Sequence, residues 1–484
     1  MSGALEEPGL AQAAVRGVAW SFLATAIARL LTLGSLLVLA RLLGPADFGL
    51  LAFALVYLTY AETIGDLGTA AALVFWPGRT DEAARVTFAV NVVLGLFWFG
   101  STQLAAPLVA AFFANPAGED LLRALAWTFP LKYLGNAHDA LCQKSLRFRA
   151  RTAPEIGMAA VKAGVSIALA ASGFGVWSLV WGQLLGQAAW TLLLWVVVPW
   201  RPRRPWPKDL LRPMLAYGRG VVAVNVLAAI THHADLVVVG HVLGAAPLAL
   251  YQMAAKIPET SIVLLLWVTS RVLFPAFARV KAQGGSLAAG FLAASRFVSL
   301  ATLPVSASLA VLAEPVVMVA FGESWRASIP ILRALAVYAA FRSLSAPVGD
   351  VLKAMGRPGL LAALGFLRAL VLVPALVLAS RSGAASVALA LAVVTGAATV
   401  LTVAVGCRLV RVSGGALVRA LWPSAIATSA LVLILLACAQ AVGPRTPAVA
   451  VLLLGALLGS MGYLAAVRIA SPETWRDLLR AGGA

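Results

Sequence analysis

Five cations stand where the sequence is otherwise apolar. Arg29, Lys132, Lys256, Arg342 and Arg368 each interrupt a hydrophobic stretch long enough to cross a bilayer. A charge at the bilayer centre costs about 2.5–3.5 kcal/mol on insertion scales, so such residues are expected to face a bundle interior, a partner or water rather than lipid. Arg29, Lys132, Lys256 and Arg342 are therefore the candidate lining of an interior cavity. Arg368 has no carboxylate near it in sequence. Arg123 and Arg333 lie toward the ends of their stretches, where a long side chain can snorkel to the surface.

The acids form a second set. Glu62 and Asp66 are four residues apart, hence on one helix face. Two neighbouring carboxylates can share a proton or hold a cation, and they can equally serve as counter-ions of Arg29. Asp235 and Lys256 suit an interhelical pair, and Lys256 and Glu259 flank Pro258 on one helix. Asp139 falls on the face of Lys132, and Asp350 on that of Arg342. This set reads as ion coupling or as charge pairing. Pro130, Pro258, Pro304, Pro347 and Pro374 interrupt apolar stretches and read as static kinks or hinges.

The chemistry that is not signalled is as informative. No metal-ligand spacing, nucleophile elbow or phosphate-binding glycine loop occurs, and Cys142, Cys407 and Cys438 are scattered. No catalytic residue, metal or cofactor is therefore expected, with coupling to H+ or Na+ left open.

These residues are set in a chain that is 61% hydrophobic and 12% charged, too apolar for a water-soluble surface. Apolar blocks of about 20–30 residues match the length of a spanning helix. Alternation typical of an outer-membrane barrel is absent. The expected fold is an all-α integral membrane protein of about fourteen transmembrane helices, with single helices over 13–40, 46–75, 118–143, 247–278, 286–320 and 357–380 among them.

The net charge of +18 does not point to nucleic acid, because the basic residues cluster between apolar blocks. Every second connection is basic: Arg79 and Arg85, then Lys144 to Arg151, then "WRPRRPWPK" from Trp200 to Lys208, then Arg279 and Lys281, Lys353 and Arg357, and Arg408 to Arg419. The positive-inside rule places these connections, and both termini, in the cytoplasm.

The chain also repeats itself. "LRALA" at Leu122–Ala126 recurs at Leu332–Ala336, and nine residues beyond the two arginines come Lys132 and Arg342. "RLLGPADFGLLAF" from Arg41 parallels "HVLGAAPLALYQM" from His241. Both pairs lie six expected helices apart, which predicts two pseudo-symmetric six-helix bundles, 13–200 and 213–410, followed by two extra helices over 416–469. Gly455, Gly459 and Gly462 in the last of these suit close helix packing.

These segments resemble a known family. "GVAWSFLATAIARLLTLGSLLVLARLLGPADFGLLAF" from Gly17, "GFGVWSLVWGQLLGQ" from Gly173 and "ADLVVVGHVLG" from Ala234 are similar to polysaccharide flippases of the Wzx type, in the multidrug/oligosaccharidyl-lipid/polysaccharide exporter superfamily. Ala249 stands where such proteins commonly have glycine. The resemblance implies translocation of undecaprenyl-pyrophosphate-linked oligosaccharide from the cytoplasmic to the periplasmic leaflet by alternating access. It further implies a bacterial inner-membrane setting beside a glycan polymerase and glycosyltransferases. A cationic interior at Arg29, Lys132, Lys256 and Arg342 suits the pyrophosphate, since arginine presents a planar fork to phosphate oxygens and lysine a point charge. Within transport the alternatives are a lipid II flippase and a multidrug exporter, the latter disfavoured by so many cations. From another class the alternative is a membrane glycan polymerase or ligase, disfavoured by the short external connections.

Overall fold

The computed structural model describes residues 27–145, 147–204, 206–441 and 447–472; positions 13–26 of the first expected span lie outside them. All secondary structure among the described residues is helical. The chain runs through α1 (27–42), α2 (Pro45–Gly65), α3 (Thr69–Phe75), α4 (Thr80–Phe112), α5 (Gly118–Leu125), α6 (Thr128–Lys144), α7 (Phe148–Ala171) and α8 (Val176–Val197). It continues through α9 (Lys208–Leu243), α10 (Ala245–Pro258), α11 (Leu264–Ala282), α12 (Ala288–Val311), α13 (Ala313–Ala320) and α14 (Ile329–Ala354). It ends with α15 (Pro358–Ser380), α16 (Ala384–Val410), α17 (Gly414–Ala441) and α18 (Ala448–Ala470). Ten helices among the described residues are long and apolar enough to cross a membrane. The chain is a multi-pass membrane protein.

Four expected single helices are broken, two of them at joints with a local cause. The stretch 46–75 divides into α2 and α3 at Asp66–Gly68. Asp66 caps α2, and its carboxylate accepts hydrogen bonds from the Gly68 amide at 2.9 Å and the Ala70 amide at 3.3 Å, satisfying orphan donors at the start of α3. Leu67 and Gly68 both take left-handed backbone angles, φ 49° and 70°. A side chain at Gly68 would also meet the Gly218 backbone of α9 at 2.6 Å, so only glycine fits this joint. The stretch 118–143 divides between α5 and α6, and 286–320 between α12 and α13 at Leu312. The stretch 247–278 breaks after Pro258, where the π-helical turn Glu259–Val263 joins α10 to α11. A π turn is a common accommodation at functional positions in helices.

The residues fall into two compact units, Met1–His233 with Gly244–Ala246, and Ala234–Leu243 with Pro247–Ala484. In the first, α7 lies along α8, and α6 packs on α3, α4 and α8. Its polar centre joins α3, α4 and α6. Asn91 donates to the Thr69 hydroxyl at 3.0 Å and the Thr87 carbonyl at 2.7 Å, while Asn136 donates to Asn91 Oδ1 at 3.0 Å. Buried amides are tolerated in such a setting because each is paired. Lys144 closes the same region by donating to the carbonyls of Leu73 and Trp76, the unsatisfied acceptors at the end of α3.

In the second unit α14 packs on α12 and α16, and α15 lies along α16. The α17 helix packs on α12, and α18 on α17 and α13. Side chains at Gly455 and Gly459 would contact Leu435, and Gly459 also Leu431. Glycine is what lets α18 approach α17 this closely.

Candidate functional site: intramembrane charge clusters in each unit

The first unit holds a charge pair between helices. Lys132 of α6 donates to Glu62 of α2, with Nζ 2.7 Å from Oε2. Both side chains are about a third exposed, 32% and 30%, so the pair is neither sealed in the core nor on a free surface. Beneath it Tyr133 is buried, its hydroxyl set against Gly65, whose carbonyl accepts from Trp98 Nε1 at 3.3 Å. Tyr57 and Thr102 share a further hydrogen bond at 3.1 Å. A lysine so placed can exchange its carboxylate partner for another anion, and a cation or proton at Glu62 would weaken its hold on the lysine.

Glu62 and Asp66 do not act on a shared partner. Glu62 is committed to Lys132, whereas Asp66 is turned to the amides of α3. Arg29, on α1, is exposed and has no partner among the described residues. Asp139 meets Arg151 of α7 at 2.8 Å and accepts from Gln143 at 2.7 Å, with Glu155 at 3.8 Å from the same arginine. Lys132 and Asp139 are seven residues apart, about 10 Å along a helix axis, too far for an ion pair.

The second unit holds separate polar contacts. Asp235 of α9 accepts a hydrogen bond from the buried Tyr251 of α10 at 2.8 Å. Arg342 of α14 donates to the Tyr338 hydroxyl at 3.3 Å, with no carboxylate within ion-pair reach among the described residues. Lys256 pairs with Glu259 at 3.0 Å, both side chains about half exposed at 51% and 56%, rather than with Asp235. Asp350, 2% exposed, takes Lys353 at 3.3 Å and leaves Oδ2 without a partner. The repeated "LRALA" segments are packing repeats: Leu122, Ala126, Leu332 and Ala336 are each fully buried. Arg123 is tied to Glu119 at 2.7 Å, while Arg333 is exposed.

Asn91 and Asn136 were not singled out by sequence, since neutral amides carry no charge signal. Their visible trace is a single amide inside each of two apolar runs, "VTFAVNVVLGLF" and "LKYLGNA".

Outside the apolar segments, Arg79 bridges Glu82 and Asp209, the latter at 2.6 Å. The hydrogen bond from Arg79 holds the Asp209 carboxyl below its usual range. No group of three or more metal-ligating side chains occurs among the described residues.

Residues 38–330 match the family described as "Polysaccharide biosynthesis protein", and the chain belongs to it. The chain is 28% identical over 403 residues to the lipopolysaccharide biosynthesis protein WzxC of Escherichia coli (strain K12), covering 81% of this chain and 80% of that one. It is 27% identical over 329 residues to the succinoglycan biosynthesis transport protein ExoT of Rhizobium meliloti (strain 1021), covering 68% and 66%. Its fold is similar to that of the lipid II flippase MurJ in an inward closed conformation, with a TM-score of 0.74 at 14% identity, covering 95% of this chain and 99% of that one.

Proposed function

We propose that this member of the polysaccharide biosynthesis protein family is a flippase. Its cargo on this reading is undecaprenyl-pyrophosphate-linked oligosaccharide, moved from the cytoplasmic to the periplasmic leaflet of a bacterial inner membrane by alternating access. Both termini lie in the cytoplasm, and a glycan polymerase and glycosyltransferases act beside it. The observation that carries the proposal is the half-open Lys132–Glu62 pair in a chain whose relative ExoT is named for transport. An anionic headgroup leaving the interface needs cations at depth, and Lys132 and Arg342 recur at matching places in the two repeats. Moving negative charge outward is further favoured by about 2.3 kcal/mol per charge per 100 mV.

Coupling enters through Glu62. A proton or Na+ taken up there releases Lys132 to the pyrophosphate, so that ion and headgroup are carried outward together, and their departure restores the pair. Transport, rather than glycan polymerisation or ligation, is the activity.

Proteoliposomes supply the test. The purified protein is expected to move a fluorescent lipid-linked glycan to the opposite leaflet without lengthening or transferring it. Expulsion of a cationic dye in place of the glycan would overturn the substrate class, and elongation of the glycan would overturn the reaction class. Cysteines introduced as Lys132→Cys and Arg342→Cys are expected to react with polar thiol reagents. Failure of both to label from either side would remove them from the cargo path.

A further inference from the structure

One half-buried arginine has two buried nitrogens with nothing to hold. Arg368 sits at the middle of α15, one turn before Leu372 on the face that also buries Leu376 and Ser380. Its Nε and Nη2 are buried and without a hydrogen-bond acceptor. Guanidinium nitrogens buried without an acceptor are costly, so this one calls for a counter-charge.

A second orphan stands at the same height. The α15 and α16 helices lie against each other in antiparallel directions through the turn at Arg381–Gly383. Counting back from one end of the turn and forward from the other brings Arg368 and Thr395 to within about one turn of each other. Thr395 is 2% exposed, and its hydroxyl lacks even the usual bond to its own helix.

The α14 helix brings a second cation to this level. Leu361 of α15 lies 4.0 Å from the position of a side chain at Gly349. Seven residues onward from Leu361 and seven back from Gly349 stand Arg368 and Arg342. Thr399 donates to the Phe341 carbonyl at 3.0 Å, which ties this level of α14 to α16.

Every orphaned group here is a donor. A guanidinium has five N–H groups and no acceptor, and the threonine hydroxyl has a proton to give. Such a set fits a ligand that is negatively charged and made of acceptors. We infer that Arg368 and Thr395, with Arg342 at the same height, form a binding site for a phosphate-class oxyanion within the C-terminal unit. Phosphates of resident lipids do not lie at the middle of a spanning helix. A lipid-borne phosphate at Arg368 is therefore one in transit; that source rests on the flippase reading, whereas the site itself does not.

The experiment is binding, without transport. The full-length protein in detergent is unfolded thermally in inorganic pyrophosphate, inorganic phosphate or sodium chloride at matched ionic strength. Pyrophosphate is expected to raise the Tm saturably, phosphate less so, and chloride not at all. Arg368→Met should raise the half-saturating concentration about tenfold or more, and Thr395→Val by a smaller factor, with Arg79→Gln, outside the apolar segments, unchanged. Equal responses to all three salts, or an Arg368→Met protein that answers pyrophosphate as the parent does, overturn the site. Should Arg368→Met not fold, Arg368→Lys carries the test: it keeps the charge and loses the fork, so a several-fold weakening is expected and an unchanged response overturns the inference. In nanodiscs, phosphatidic acid competing with pyrophosphate assigns the lipid-borne source, and no competition relative to phosphatidylcholine assigns the free ion. Binding retained by a protein that fails to flip glycan refutes the flippase and leaves the site; flipping with no pyrophosphate response does the reverse.

Discussion

Lys132 Nζ stands 2.7 Å from Glu62 Oε2, joining α6 to α2 in the apolar part of the first unit. Removing either partner leaves the other charge uncompensated in a low-dielectric setting, whereas removing both does not. Glu62→Gln and Lys132→Met are each expected to destabilise by about 1–3 kcal/mol, and the double variant by less than their sum, with a coupling of about 1 kcal/mol or more. A double-mutant cycle on thermal unfolding measures this. Strict additivity would mean that the pair contributes nothing to the fold.

The same pair predicts coupling. In proteoliposomes with a proton or sodium gradient imposed in the direction of glycan movement, glycan flipping by the parent protein should accelerate, and Glu62→Gln should flip at a rate that no longer responds to the gradient. A Glu62→Gln protein still driven by the gradient places coupling elsewhere, with Asp350 as the next carboxylate to test, since its Oδ2 is buried and unpartnered.

Helix existence was legible in this sequence and helix partners were not. The span expected over 357–380 is α15 at Pro358–Ser380, because hydropathy alone marks where backbone must be hydrogen-bonded within the segment. The break at Asp66–Gly68 is a local event that hydropathy cannot register: it depends on a carboxylate turning to cap the next helix and on a left-handed glycine. Spacing along one helix puts Lys132 and Asp139 on one face, and Arg342 and Asp350 on another. Those separations exceed ion-pair reach, and the structure pairs across helices instead, Lys132 with Glu62 and Asp139 with Arg151. Asp235 likewise meets Tyr251, not Lys256, because the antiparallel turn at Gly244 sets which residue of α10 lies level with it.

The joint between α2 and α3 gives a backbone prediction. Gly68 has φ 70° and touches the Gly218 backbone. Gly68→Ala combines a left-handed alanine with a steric clash and should cost about 2 kcal/mol or more. Gly78→Ala, also at positive φ (65°) but with nothing within 4 Å, isolates the first contribution and should cost about 1 kcal/mol. Equal losses in the two variants, read from thermal unfolding, would show that the approach to Gly218 carries no weight.

Outside the apolar segments, Arg79 predicts a pH effect of definite sign. Its hydrogen bond holds the Asp209 carboxyl below the usual range. A carboxyl depressed in the folded state contributes stability above its unfolded pKa and loses it as the pH falls through the folded value. The parent should therefore keep this contribution at neutral pH and lose it on acidification, while Arg79→Gln should lack it throughout and so show a shallower acid decline. The groups are exposed, so molar salt should narrow the difference. Parallel pH–stability curves for the two proteins would show that the bridge is silent.

Arg342 is predicted to behave oppositely to Lys132, its counterpart in the repeat. Its hydrogen bond is to the neutral Tyr338 hydroxyl at 3.3 Å, so truncation strands no carboxylate. Arg342→Met should leave thermal stability within about 1 kcal/mol of the parent or raise it, since a half-buried cation is exchanged for an apolar chain of similar length. If Arg342 meets the pyrophosphate, the same variant should nonetheless lose most glycan flipping, and Arg342→Lys should recover only part, because an ammonium supplies charge without the bidentate fork. Tyr338→Phe serves as the control: it removes the hydrogen bond, keeps the cation and should flip nearly as well as the parent. A stable Arg342→Met protein that flips at the parental rate would take Arg342 out of the cargo path, whereas one that loses stability and flipping together would mark it as a structural residue.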